Sequence, residues 1–97
     1  MTFAAILELV FKHEALGEAR EWIAREAPVT RSFAGSLAVE VFVDDLDPNR
    51  FVLVERWESR SADDSYRRFR GGEGKMLALP KLLSQPAVLS RFDMTDI

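Results

Sequence analysis

The run from Ser36 to Trp57 constrains the fold more than any other part of the chain. Residues 36–43 (Ser36, Leu37, Ala38, Val39, Glu40, Val41, Phe42, Val43) alternate and are rich in β-branched side chains. Phe51 to Trp57 returns as a second run of the same kind. The intervening Asp44, Asp45, Leu46, Asp47, Pro48 and Asn49 are turn formers. Alternation with period two marks a strand whose two faces differ, so the region reads as a β-hairpin with a long loop.

The flanking segments supply the remaining layers. Phe3, Ala5, Leu7, Leu9 and Phe11 give one apolar face with period two, so Phe3 to Lys12 reads as a strand, although Ala, Leu and Glu also suit a helix. From His13 to about Phe33 the stripe Leu16, Ala19, Trp22, Ile23 and Ala27 recurs at steps of three and four, as a core-facing helix requires. Pro28 is expected to kink or end that helix, because it removes an amide and crowds the preceding turn. Gly35 punctuates the approach to the hairpin. After Trp57, Ser61 is the expected helix cap with Asp64 completing a capping box. Asp63 and Asp64 in the first turn and Arg67, Arg68 and Arg70 in the last match the helix dipole, and Gly71 follows; the three arginines read either as that dipole complement or as a receiver for an anionic substrate. A short apolar segment, Met76 to Leu83, is broken by Pro80. Val88 to Ile97 reads as a final strand.

The order β-α-β-β-α-(α)-β is that of an α+β, ferredoxin-like domain: a four-stranded antiparallel sheet with helices on one face, formed by residues 1–97 as a single unit. The other face is expected to carry Phe42, Val52 and Val54 beside Glu8, Glu40 and Arg56, with Glu40 and Arg56 as a cross-strand pair. Such a face on so small a chain asks for cover, and a C2 homodimer packed sheet to sheet is the simplest solution.

Composition narrows the chemistry. The 97 residues contain no cysteine and one histidine, which excludes disulfides, thiolate nucleophiles, zinc–thiolate sites and iron–sulfur clusters and leaves a His-rich metal site without ligands. A net charge of −3 offers no footprint for nucleic acid. The apolar start, Met1 to Lys12, is far short of a bilayer span, so no membrane partner is expected and the expected location is cytoplasmic. Gly71, Gly72, Glu73 and Gly74 lack the spacing of a phosphate loop.

Leu37, Val39, Val41, Phe51, Leu53, Glu55 and Trp57 are expected to share the helix-facing side of the sheet, with Tyr66 and Phe69 looking back at them. Trp57 and Tyr66 each carry a polar atom that wants a partner, so they read either as lining for a flat aromatic ligand or as core aromatics closing the sheet. Glu55, two residues before Trp57, is either a desolvated carboxylate suited to proton transfer or half of an ion pair with a nearby arginine. His13, at the junction of first strand and first helix, is a base by residue type or a plain capping residue.

At the hairpin the chain resembles the antibiotic biosynthesis monooxygenase family. The resemblance is carried by Gly35-Ser36-Leu37-Ala38-Val39-Glu40-Val41, the acidic Asp-Pro turn, and Arg50-Phe51-Val52-Leu53-Val54-Glu55-Arg56-Trp57-Glu58, and extends over roughly residues 5–77. It implies a dimeric α/β barrel: ferredoxin-like subunits sharing their sheets, each with a cavity between sheet and helices. Some members oxidise phenols or quinols with molecular oxygen and no cofactor, because an electron-rich substrate supplies its own electrons. The resemblance therefore implies a cofactor-independent monooxygenase acting on a small aromatic substrate, with Trp57, Tyr66, Glu55 and His13 as catalytic candidates and Phe69, Leu53, Val39 and Phe33 lining the pocket. The family's common histidine falls at Tyr66, a departure. Haem-degrading members add an asparagine on the first strand, which this strand lacks. A non-catalytic ligand-binding protein and an isomerase of a small carbonyl compound remain the alternatives. A void beside Trp57 and Tyr66 favours the enzyme; if they pack solidly against Phe69 and Leu53 with no void, the enzyme reading built on them fails.

Overall fold

Along the first strand, β1 (Phe3–Val10), Phe3, Ala5, Leu7 and Leu9 are buried while Ala4, Ile6, Glu8 and Val10 are half-buried on the opposite face. The period-two pattern thus places one row against helices and the other on the open side. This computed structural model describes residues 2–97. The following elements are a 3₁₀ turn (His13–Ala15), α1 (Leu16–Ser32), β2 (Ser36–Val43), β3 (Arg50–Trp57), α2 (Arg60–Gly71), the one-turn α3 (Leu79–Leu82) and β4 (Val88–Asp93). The strands form one antiparallel sheet in the order β2-β3-β1-β4, the expected ferredoxin-like arrangement. No helix among the described residues is long and apolar enough to cross a membrane.

α1 lays Ala19, Trp22, Ile23, Ala27 and Thr30 on the sheet. It runs through Pro28 to Ser32 rather than ending there. Pro28 and Ala24 are both exposed, so the Ala24 carbonyl that loses its amide partner faces water, while Ala27 and Thr30 hold the last turn on the core. α2 begins earlier than the spacing suggests. Ser59, not Ser61, is its cap, accepting from the Ala62 amide at 3.1 Å.

Three further departures have local causes. A bulge between Ser36 and Ala38 turns Leu37 out of the helix-facing row, leaving it 51% exposed. Pro80 starts α3 rather than breaking it, since a first-turn proline gives up an amide that has no partner anyway. β4 stops at Asp93 because β1 offers no strand residue beyond Phe3; Met94 still meets Thr2, its amide donating to the Thr2 carbonyl and its sulfur accepting from the Thr2 hydroxyl.

The open face carries Phe42, Phe92 and Val88 exposed, with Val52 and Val54 half-buried. Glu40 stands opposite Val54 and Ala38 opposite Arg56, so Glu40 and Arg56 are diagonal neighbours and form no ion pair; Arg50 instead bridges Glu8 and Asp44.

Gly35 joins α1 to β2 with φ +89°, and a Cβ there would stand 2.4 Å from the Ala62 Cβ. Only glycine meets both demands. Its carbonyl accepts from the Glu58 amide at 2.8 Å, locking this turn to the end of β3 beside Trp57.

Candidate functional site

Glu55 and Trp57 are two apart on β3 and therefore point to the same side, toward the helices. Tyr66, on the inner face of α2, lays its ring 4.9 Å from Trp57. Phe33, just past the end of α1, stands 5.3 Å from Tyr66 and 6.2 Å from Trp57, both edge-on, and Phe69 lies 5.3 Å from Phe33. Phe3 and Ala5 complete this cluster. Five expected site residues thus come together: Trp57, Tyr66, Glu55, Phe33 and Phe69.

They do not enclose a ligand space. Trp57 has 0% exposure and Tyr66 2%, so no water-sized void adjoins the indole. Trp57 stacks on neighbouring side chains, and the pocket expected between these rings is filled by the rings themselves. Leu53 belongs to the adjoining core of Leu7, Leu9, Phe11 and Trp22 rather than to the cluster. Val39 is buried opposite Glu55 across the strands. His13 is at the far end of the sheet. β1 pairs Phe3 with Trp57 and Val10 with Arg50, so about seven strand residues, roughly 23 Å, separate the two ends. There the exposed imidazole Nδ1 lies 3.3 Å from Asn49 Oδ1.

The indole N–H, the Tyr66 hydroxyl and Glu55 Oε1 all find partners within the fold. The Trp57 indole N–H donates to Glu55 Oε1 at 3.2 Å, and Arg67 pairs with the same oxygen. Burial pushes the Glu55 carboxyl above the usual carboxylate range, against the opposing pull of the Arg67 charge and the hydrogen bonds from Trp57 and Arg67. The ion-pair reading of Glu55 is therefore met in the structure, and its partner is Arg67. That guanidinium also donates to Asp63 at 3.0 Å and lies 4.7 Å over the Tyr66 ring. Asp63, 0% exposed, receives Arg91 of β4 at 2.7 Å as well.

The Tyr66 hydroxyl has two partners at 2.6 Å, Arg70 Nε and Thr30 Oγ1. Because a guanidinium can only donate, the Tyr66 oxygen accepts from Arg70 and its own proton goes to Thr30. The remaining Arg70 donors reach Glu26 Oε1 at 2.7 Å, the Gly74 carbonyl at 3.1 Å, and Thr30 Oγ1 at 3.3 Å. Arg70 therefore ties α2 to both α1 and the loop that follows.

Open space begins on the other side of Arg70. A cleft of about 680 Å³ runs under the 75–87 segment, with Met76, Leu79, Leu83 and Pro86 supplying apolar wall and Arg70 and Lys75 the only charged groups. Its size is that of a small-molecule site. None of the eight residues expected to form the site lines it. Among the described residues no three His, Asp or Glu side chains converge as a metal site would require. Thr30 escapes sequence reading because a threonine near a proline looks like a helix end, and Arg70 is read only as one of three last-turn arginines that complement the dipole or receive an anion. Only burial distinguishes Arg70 from Arg67 and Arg68.

Comparison with known proteins places the geometry. Residues 2–71 match the model of the antibiotic biosynthesis monooxygenase family. Among solved structures, Rv0793 from Mycobacterium tuberculosis superposes with a TM-score of 0.85 at 22% identity, covering 100% of this chain and 98% of its own. A structure described as an antibiotic biosynthesis monooxygenase gives 0.83 at 24% identity, covering 96% and 98%. SnoaB, a cofactor-independent oxygenase from Streptomyces nogalater, gives 0.83 at 16% identity, covering 99% and 95%. At these identities the superpositions speak for the fold. No curated protein matches by sequence.

Proposed function

This chain belongs to the antibiotic biosynthesis monooxygenase family, and on that premise we propose that it oxidises a phenol- or quinol-type aromatic with molecular oxygen and no cofactor, in the cleft beneath residues 75–87. The observation that carries this reading is an apolar cleft of about 680 Å³ whose charged lining groups, Arg70 and Lys75, are both cations, Lys75 forming no ion pair among the described residues. Two cations and no carboxylate line the space, which favours a phenolate over a phenol. A phenolate is electron-rich enough to reduce oxygen directly. The carbon opposite it gains one oxygen atom, loses its hydrogen and becomes a carbonyl; the second oxygen atom leaves as water, with that hydrogen and the proton that the phenol released to solvent on ionising. The protein's part is to bind the ring and hold the anion.

In this reading Trp57, Glu55 and Tyr66 act behind the wall. Tyr66 positions Arg70 by accepting its Nε–H, and Trp57 and Glu55 fix the face on which Tyr66 rests. They are positioning residues, and His13 has no part. The family's tendency to pair sheets and the open face with Phe42, Val52, Val54 and Phe92 support a C2 homodimer.

Oxygen uptake with a panel of naphthols, hydroquinones and dihydroxynaphthalenes tests the reaction. Uptake that leaves one atom of labelled oxygen in the ring product of members with a C–H opposite the hydroxyl supports it. No uptake with any member, or a quinone formed without oxygen insertion, sinks it. The filled space around Trp57 favours a second reading, a ligand-binding protein without catalysis. That reading predicts saturable binding of the same panel with no oxygen consumed.

A further inference from the structure

We propose that the cleft selects ligands bearing an acidic group on an apolar body, with the Lys75 ammonium as the partner of that group. The proposal rests on the cleft being the ligand site. The chain as a whole has 16 acidic against 13 basic residues, yet the charged groups along this cleft are Arg70 and Lys75, both cations. The positive character is local to the cleft, not a property of the surface at large.

The two cations are not equivalent. Every Arg70 donor is engaged within the fold: Nε with the Tyr66 hydroxyl, Nη1 with the Glu26 carboxylate and the Gly74 carbonyl, Nη2 with Thr30 and, at 3.5 Å, the Glu26 carbonyl. Its charge is already balanced by Glu26. Lys75 is exposed and forms no ion pair among the described residues. It is the cation that a ligand can reach.

Its place is set by the backbone. The Gly74 amide donates to the Phe69 carbonyl at 2.8 Å and the Lys75 amide to the Gly72 carbonyl at 3.2 Å, while Arg70 holds the Gly74 carbonyl. Gly74 passes so close to Phe69 that a Cβ would stand 2.3 Å from the ring. The loop is therefore tied down one residue before Lys75. Met76, Leu79, Leu83 and Pro86 then offer apolar surface but no charge. A neutral aromatic uses only that surface and a small inorganic anion only the ammonium. An amphiphilic anion, such as an aromatic carboxylate or a phenolate, uses both.

The test is an NMR titration of the full chain with 2-naphthoate and with its neutral methyl ester, following backbone amides. Both ligands are expected to shift residues 75–87, with the acid bound about three- to fivefold more tightly, as one exposed ion pair supplies. Lys75→Gln should bring the acid to the level of the ester and leave the ester unchanged, whereas Lys75→Arg keeps the preference. Added salt should erode the preference for the acid alone. Equal affinities in the unsubstituted protein, an equal loss for both ligands in Lys75→Gln, or shifts confined to the open sheet face would overturn the proposal. Acid selectivity at 75–87 without oxygen uptake from any phenol leaves it standing and removes the oxidation reading instead.

Discussion

Replacing Tyr66 by phenylalanine removes one oxygen atom and asks what that oxygen is for. In the structure it accepts from Arg70 Nε and donates to Thr30 Oγ1, each at 2.6 Å, in a site where Tyr66 is 2% exposed. A hydrogen bond to a charged group contributes about 1.5–3 kcal/mol and a neutral one about 1 kcal/mol, so Tyr66→Phe should cost about 2–4 kcal/mol. Arg70 keeps its other acceptors, which favours the lower half of that range. For a domain of this length each kcal/mol lowers Tm by about 4–8 °C, so a fall of roughly 8 °C or more is expected. Urea denaturation should show a lower midpoint at unchanged slope. Thr30→Val removes the bond with Tyr66 and the longer contact from Arg70 Nη2 at 3.3 Å, and should cost about 1–2 kcal/mol. The double variant should show coupling of at least about 0.5 kcal/mol, because both side chains act on one Arg70. Turnover should fall through looser placement of Arg70, with the variant still binding ligand. A stability loss under about 0.5 kcal/mol together with abolished ligand binding would refute this reasoning. It would mean that the hydroxyl serves the ligand and not the fold.

Two other outcomes follow from the same frame. Glu55 holds its proton in the folded chain at a pH where the unfolded chain, with a carboxyl near 4.5, has lost it. The native state is then the more protonated, so stability falls as pH rises from about 4.5 through the raised native value. Relative to Glu55→Gln, the unsubstituted protein should lose stability as pH rises above about 4.5 in urea melts; a constant or growing advantage would contradict the assignment. Gly35→Ala adds a Cβ 2.4 Å from that of Ala62 at φ +89°. Strain and overpacking together should cost about 2–5 kcal/mol, read as a lower denaturation midpoint, and adding Ala62→Gly should recover the contact part but not the backbone part.

The hairpin and the sheet order were legible because alternation over eight-residue runs has one physical reading. Phe51, Leu53, Glu55 and Trp57 face the helices as the pattern requires, and all four are buried. The aromatic cluster was legible for the same reason, since β3 and α2 present Trp57 and Tyr66 to each other. Whether rings brought together leave a gap depends on how far apart the layers stand, and that is set by Phe33 just past the end of α1, whose position follows from how the helix passes Pro28, a residue that reads as either a kink or a stop. Leu37 was misassigned because a one-residue bulge inverts the face without any mark in the side-chain pattern. Asp63 reads as a surface charge of a first helical turn. It is buried because α2 starts at Arg60 and because Arg91 arrives from β4, a contact of residues 28 apart. The cleft lies in a stretch where glycines and prolines break every period, so its walls follow from tertiary placement alone.

The claim that the ligand occupies the cleft under residues 75–87, and not the closed aromatic cluster, is tested most directly by locating a bound ring. A crystal structure with a dihydroxynaphthalene, soaked without oxygen, should place it against Met76, Leu79 and Leu83, with Trp57, Phe33 and Tyr66 still in mutual contact. A ring wedged between Trp57 and Phe33, with Tyr66 turned away from Thr30 and Arg70, would contradict the account.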